Sequence, residues 1–182
     1  NASTAKSSSL DVLQNGNAVV LVDHGAQSLT PVNTSLGTAD SQQAVGVKDA
    51  SLTAMGGGVL ATADETGRIW ATQFSAADGV TSLADVDSTS KPLLKTDAQI
   101  ALGVSATGTI FALSSSEKKM WAISSSGSGF GHAVESTLDP APSGDILQVT
   151  VVGSTPIWLD SKGTLGYAGR TVAVGEGAQL QQ

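Results

Sequence analysis

Cysteine is absent from all 182 residues of the chain. This absence excludes disulfide bonds, thiolate nucleophiles and metal sites with sulfur ligands. Chains without cysteine that are rich in Ser, Thr and Gly are common among exported proteins of Gram-positive bacteria. We therefore expect an extracellular protein displayed at the cell surface.

Charged and aromatic residues are also scarce. Only 14% of the residues are charged and 4% are aromatic, whereas roughly 25% of an average globular chain is charged. The net charge is −7, and the only arginines are Arg68 and Arg170. A surface that follows phosphates needs clustered Lys and Arg, so we expect neither nucleic acid nor an anionic membrane as a partner.

Long apolar runs are missing too. No stretch approaches the roughly 18 apolar residues of a membrane helix, and no signal peptide is present. The chain begins at Asn1 without a methionine and ends in Gln-Leu-Gln-Gln. We expect a signal or anchor upstream, so that membrane attachment would be made only through a segment outside these residues.

What the chain does contain is a recurrent β-hairpin, in which two short β-rich strands flank a tight polar turn. The Asn15-Gly16 pair favours a type I′ turn, and an Asp-x-x-Gly turn suits a type I turn closed by a glycine bulge. In such turns the aspartate accepts backbone N–H groups, which gives it a structural role. The predicted turn residues are Gly16, Asp64, Gly67, Gly108, Asp160 and Gly163.

The turn glycines recur at a spacing of roughly 40 to 55 residues, which is within the range of propeller blades. We predict an all-β, propeller-like array of about four antiparallel hairpin units, either a small ring or part of a larger propeller. A β-sandwich is the alternative, although it would need only about 100 residues. Residues 10–175 form the predicted domain, 1–9 a disordered or linker segment, and 176–182 a tail.

Catalytic and metal-binding patterns are weak. His24 and His132 are the only histidines, and their spacing to other ligands fits no zinc site. Asp85 and Asp87 could form a carboxylate pair on one face of a strand, but a solvated loop is the better interpretation of this segment. We expect no metal, no cofactor and no catalytic residue. A propeller glycosidase or lyase, which would need Asp85, Asp87, Asp139 or Asp145 to converge, stays open as an alternative.

The remaining candidates for a binding site are aromatic. Packing between blades is the default role of a tryptophan in a strand, whereas exposed aromatic rings form platforms for sugars or proteins. The candidate platform residues are Trp70, Trp121, Trp158 and Tyr167.

Residues 11–23 and 58–71 resemble the start of the N-terminal extracellular, propeller-like region of large actinobacterial fibronectin type III surface proteins. The resemblance covers about residues 8–175 and implies a surface-displayed protein with a role in adhesion, in contacts with the cell envelope or in binding a host protein. It supplies no catalytic residues, and the fibronectin repeats themselves are absent from this sequence.

Three functions follow from these observations. The first is a non-catalytic extracellular binding or scaffold module of a bacterial surface protein, whose partner is a protein or a cell-wall glycan. The second is an assembly module that completes its fold with another chain or domain, since exposed edge strands invite self-association. The third is the propeller enzyme.

Overall fold

A computed structural model describes residues 10–47, 52–75, 79–80, 82–96, 98–175 and 177–180. The predicted linker 1–9 and residues 176, 181 and 182 of the predicted tail lie outside the described residues. Within the described ranges the only helices are two 3-10 turns, Ser41–Gln43 and Ala84–Val86. Neither is long or apolar enough to cross a bilayer. The all-β prediction is confirmed.

Among the described residues the strands form five antiparallel sheets, namely four larger sheets and one two-stranded hairpin, and we call each of the four larger sheets a blade. The strands of the first blade are β1 (Leu10–Asn15), β2 (Ala18–Asp23), β3 (Ser28–Asn33) and β4 (Thr38–Ala39), with β5 (Val45–Gly46) pairing back onto β3. The strands of the second blade are β6 (Thr53–Gly56), β7 (Val59–Ala63), β8 (Arg68–Gln73) and β9 (Leu94–Lys95).

The third and fourth blades repeat this order. The strands of the third blade are β10 (Ala101–Val104), β11 (Ile110–Ser114), β12 (Lys119–Ile123) and, after a small hairpin of β13 (Ser125–Ser126) and β14 (Gly129–Phe130), β15 (Val134–Thr137). The strands of the fourth blade are β16 (Ile146–Val152), β17 (Thr155–Asp160), β18 (Thr164–Tyr167) and β19 (Arg170–Ala173).

The blades pack face to face in chain order. Their first strands line up, with β1 beside β6, β6 beside β10, and β10 beside β16. Three clusters of buried apolar side chains join consecutive blades. Each cluster has members from both of its blades: Val20 and Leu60 in the first interface, Ile69 and Ile110 in the second, and Leu113 and Trp158 in the third.

The four blades form an open arc. Among the described residues, no buried cluster joins the fourth blade back to the first, so four blades share three interfaces. The prediction left a small closed ring and a partial propeller as alternatives, and the structure has the partial form. Four separate blades, rather than two sheets packed on each other, also exclude the β-sandwich.

The four turn glycines whose spacing predicted the blades do not occupy equivalent corners of those blades. Gly16 and Gly108 lie between the first and second strands of their blades, whereas Gly67 and Gly163 lie between the second and third. All four have φ between 62° and 81°. The spacing of these glycines is nevertheless close to the length of one blade, because each blade has tight turns at both ends.

The equivalent positions are the residues that open the corner between the second and third strands. In each blade the side chain of this residue accepts a hydrogen bond from a backbone N–H two or three residues later, at 2.8 to 3.3 Å. These residues are Asp23, Asp64, Ser114 and Asp160. The structural repeat is therefore a polar cap on one corner of every blade.

Candidate functional site

The three tryptophans do not form a binding platform. Trp70, Trp121 and Trp158 are 2%, 6% and 2% exposed, and each lies in a different blade interface. In every case the later blade supplies the indole. Only Tyr167 is substantially exposed, at 43%, and it lies at the end of the arc. The structure therefore gives the tryptophans the packing role and does not bring the four aromatic residues together.

The fourth blade places its tryptophan on a different strand from the second and third blades. Trp70 and Trp121 lie on third strands, opposite Thr62 and Ala112. Trp158 lies on a second strand, opposite Gly166. A Cβ at Gly166 would overlap the indole of Trp158, so the glycine makes the room that the ring occupies.

Asp64 and Asp160 stabilise corners and are buried, at 0% and 2% exposure. Burial would raise the pKa of Asp64, but hydrogen bonds from Thr66 and Arg68 outweigh burial and leave that pKa below its usual value. Asp160 is likewise subject to burial, and four backbone N–H groups, led by that of Thr164, lower its pKa. These carboxylates remain ionised acceptors at neutral pH.

The other titratable candidates are dispersed. The Nε2 atom of His24 lies 2.8 Å from a carboxylate oxygen of Asp11, while Asp85 belongs to a 3-10 turn rather than a strand. Asp85 and Asp145 line different clefts. In the described part of the chain, no group of three His, Cys, Asp or Glu side chains is arranged to hold a metal ion.

A cleft arises where the connections between third and fourth strands are long. These connections are short in the first and fourth blades, spanning residues 34–37 and 168–169, whereas in the second and third they span 74–93 and 124–133. Long loops on a rigid scaffold are the usual carriers of binding sites. The two long connections face each other across a cleft of about 470 Å³, which we call the loop cleft.

The walls of the loop cleft are tied to each other and to the core. The Gln73 amide donates to the carbonyl of Ser126 at 2.7 Å, which joins the two walls. The buried indole of Trp70 donates to the carbonyl of Ser90 at 2.9 Å. The Ser90 hydroxyl in turn donates to the carbonyl of Asp85 at 3.0 Å. Residues 85–90 of the second-blade connection are therefore tied to the core by these hydrogen bonds, which preorganises this wall of the cleft.

The lining of the loop cleft combines apolar and charged groups. Leu93 is 41% exposed, and Phe130 is half-buried against the core cluster between the second and third blades. Asp85 and Lys91 are exposed charges of opposite sign on the same lining. The sequence interpretation named none of Leu93, Lys91 and Phe130, because Ser- and Gly-rich loops give no periodic signal.

No protein-family model and no curated protein matches the chain. Solved structures do match it. Kluyveromyces lactis Hsv2 superposes with a TM-score of 0.60 at 13% identity, over 86% of this chain and 47% of that one. BBS1N, solved in a complex with ARL6DN, gives 0.51 at 15% identity, over 91% and 52%.

Both neighbours are β-propeller proteins. The fold of this chain is accordingly an arc of a β-propeller, and the chain spans about half the length of the propeller proteins it matches. At identities this low, the structural similarity shows the fold and nothing further.

Proposed function

We propose that the chain is a non-catalytic, protein-binding scaffold module and that the loop cleft is its binding site. The observation that carries this proposal is the pair of long connections in the second and third blades. They line a cleft of mixed apolar and charged character, and hydrogen bonds tie the second-blade connection to the buried Trp70 and join the two walls. A preformed site lowers the entropic cost of binding.

The lining of the cleft favours a peptide segment of a partner protein. Leu93 and Phe130 offer an apolar surface for one side chain, and Lys91 and Asp85 can pair with charges on either side of it. A cell-wall glycan is the less favoured partner, because sugars stack on exposed aromatic rings and the three tryptophans are buried. The neighbour BBS1N, solved with a partner protein, supports protein binding.

The same proposal places the module on the outside of a bacterial cell, as part of a surface protein with a role in adhesion or in contacts with the cell envelope. Support comes from the cysteine-free composition and from the resemblance of residues 11–23 and 58–71 to actinobacterial fibronectin type III surface proteins. Antibody labelling of intact cells of the source organism, compared with lysed cells, tests this location. Labelling only after lysis would contradict it.

The binding site is tested by selecting a displayed library of random peptides against the purified chain. Selected peptides should share an apolar residue flanked by charges. Their dissociation constants should rise by about tenfold or more for Phe130→Ala and for Leu93→Ala, because each variant removes apolar contact from the centre of the site.

The matched control is Leu36→Ala, which truncates a leucine that is 73% exposed in the short connection of the first blade. Binding should be unchanged by this control. Peptides that bind all variants equally, or a library that yields no binders while a glycan array does, would contradict the proposed site.

A further inference from the structure

The third strand of the second blade, β8, is only partly covered on its outer side. In the other three blades, the outer strands pair with residues at or next to both ends of the third strand. In the second blade, β9 pairs only with Arg68 and Ile69, the first two of the six residues of β8. Within the described part of the chain, no strand lies beside the last four residues of β8 on that side.

Hydrogen bonds to the preceding strand decide which backbone groups of β8 point outward. In an antiparallel pair, residues that exchange hydrogen bonds across the pair alternate with residues that do not. The N–H of Phe74, directly after β8, donates to the carbonyl of Gly58 at 2.8 Å, on the β7 side. The even-numbered residues of β8 therefore bond toward β7. The odd-numbered residues, Ala71 and Gln73 among them, point their N–H and C=O groups outward.

The sequence of the connection explains why β9 does not reach these groups. β9 pairs Leu94 with Ile69, and the outward carbonyl of Ile69 also accepts the N–H of Leu93 at 2.7 Å. Continuing this register would place Pro92 opposite Ala71. Pro92 lies outside β9, and a proline has no N–H to donate to a strand ladder. The connection therefore joins the edge of β8 only after the proline.

The outward backbone groups of Ala71 and Gln73 lie at the loop cleft. Both residues line the cleft, and no hydrogen bond from another described residue reaches the outward N–H or C=O of either one. Ala71 is only 4% exposed. Buried backbone groups of native proteins are almost always hydrogen-bonded, so these donors and acceptors point to a partner that pairs with them.

A strand added at this edge would meet the apolar wall of the cleft with one of its two faces. Residues directly opposite each other in a strand pair share a face. Ala71 belongs to the buried cluster between the second and third blades, and Phe130 packs against the same cluster. A partner residue opposite Ala71 would therefore direct its side chain toward Phe130. Its neighbours would point to the face of Trp70, whose indole is bonded to Ser90.

The spacing of the outward groups matches an extended segment of a partner. Such a segment offers N–H and C=O groups on alternate residues, at a rise of about 3.3 Å per residue, as the alternate positions Ala71 and Gln73 require. A helical segment has already bonded its backbone groups within the helix, so it cannot pair with them. The edge of β8 therefore favours an extended segment over a helix.

We propose that the loop cleft binds an extended segment of a partner protein as an added strand, hydrogen-bonded to the outward backbone groups of Ala71 and Gln73. The segment continues the outer strand of the second blade where β9 stops, and it carries an apolar residue opposite Ala71. Main-chain hydrogen bonds provide affinity in this mode of binding, and the contacts of alternate side chains provide specificity. The added strand rests on the proposed function, since it concerns the same cleft and the same kind of partner.

Methylation of single backbone amides in the tightest peptide from the displayed library tests the added strand. An N-methyl group removes the N–H donor and obstructs pairing on its side of the peptide. The dissociation constant should rise by about three- to tenfold where the amide faces β8 and should change little where it faces away. The losses should therefore alternate along the central residues, as measured by calorimetry with the purified chain.

A change in the protein tests the same contact. Gln73→Pro removes the outward N–H at this position. An edge strand tolerates proline where the N–H faces outward, and Thr72 is already in the extended conformation that precedes a proline. The variant should therefore fold, which thermal unfolding checks. The dissociation constant of the library peptide should be about three- to tenfold higher for Gln73→Pro than for the matched control Gln73→Ala. Both variants lose the side-chain bond to Ser126, but only the proline variant loses the backbone donor.

The outcomes separate the added strand from the binding site itself. Suppose that peptides require Phe130 but show no alternating losses and bind Gln73→Pro as well as Gln73→Ala. That result would support the loop cleft and overturn the added strand. Selected peptides whose apolar residues recur every three or four positions would indicate a helix and would also overturn it. A library without binders at the cleft would contradict the proposed function and the added strand together.

Discussion

Asp160 is the clearest case of a single side chain that stabilises a blade corner. Its carboxylate accepts the N–H groups of Ser143, Gly144, Lys162 and Thr164 at 2.8 to 3.1 Å. The first two precede β16 and the last two follow β17, so one buried carboxylate joins two segments of the fourth blade. An uncharged amide cannot replace it, because an amide has one acceptor oxygen and brings two donors of its own.

Asp160→Asn should lower the free energy of unfolding by about 2 kcal/mol at pH 7, since hydrogen bonds to a charged acceptor are lost. The pKa of Asp160 is lower in the folded protein than its ordinary 3.8. Its stabilising contribution is therefore complete above pH 3.8 and is lost as the pH falls through the folded-state pKa. Urea unfolding at a series of pH values measures both effects.

The difference between the wild type and Asp160→Asn should shrink in acid, where the carboxyl group of the wild type is also protonated. Asp85→Asn, at an exposed position, is the control and should cost little at any pH. An equal loss in both variants, or a difference that does not change with pH, would show that the corner does not depend on the ionised carboxylate.

At the scale of the elements, the blade interface is the unit that repeats, and one indole fills each interface. The fourth blade shows that the ring can come from either the second or the third strand, and in each case the residue across from it on the other of these two strands is small. Thr62, Ala112 and Gly166 meet this requirement for Trp70, Trp121 and Trp158. Complementary volume across a strand pair is therefore what the interface requires.

Gly166→Ala should destabilise the protein by about 2 kcal/mol, because the added methyl group overlaps the indole of Trp158 in a packed interface. Thermal or urea unfolding measures the loss. Gly127→Ala is the matched control, since a Cβ at Gly127 meets nothing within 4 Å. Equal stability of the two variants would contradict this, because it would show that the interface between the third and fourth blades accommodates the added methyl group without cost.

At the scale of the whole molecule, the blades of the arc differ in the number of neighbouring blades against which they pack. Among the described residues, the second and third blades pack against a neighbouring blade on both faces, whereas the first and fourth do so on one. Local opening free energy follows the number of buried apolar contacts. The middle of the arc should therefore be its most stable part.

Amide hydrogen exchange of the chain should show the slowest exchange in β7, β8, β11 and β12, and faster exchange in β1 and in β18. Uniform protection along the chain would contradict the open arc.

Much of the fold could be predicted from local sequence. The two-residue alternation of apolar side chains, the Asn15-Gly16 turn and the Asp-led corners act over a few residues, and these signals were sufficient for an all-β array of about four units. Asp23 and Ser114 were not among the predicted turn residues. Their turns lack the Asp-x-x-Gly pattern, although the side chains perform the same task.

The candidate site could not be predicted in the same way. Lys91 and Leu93 lie in one long loop and Phe130 lies in another, and neither loop has an apolar periodicity. The three residues share a cleft only because two blades stack. Sequence likewise could not assign the tryptophans, since a strand residue points to one face or the other but its burial depends on what packs there.

The sequence by itself determined the β-strand character, the corners at Asp64 and Asp160 and the chemistries that the lack of cysteine excludes, because alternation, turn geometry and residue type are local or compositional properties. The tertiary structure alone decided that the arc is open, that the indoles are buried and that two loops meet in a cleft. Those outcomes depend on contacts between residues of different blades, some of them more than forty positions apart in the sequence. The Gln73–Ser126 hydrogen bond, for example, spans 53 positions. Pairing over such distances leaves no signature in any one segment.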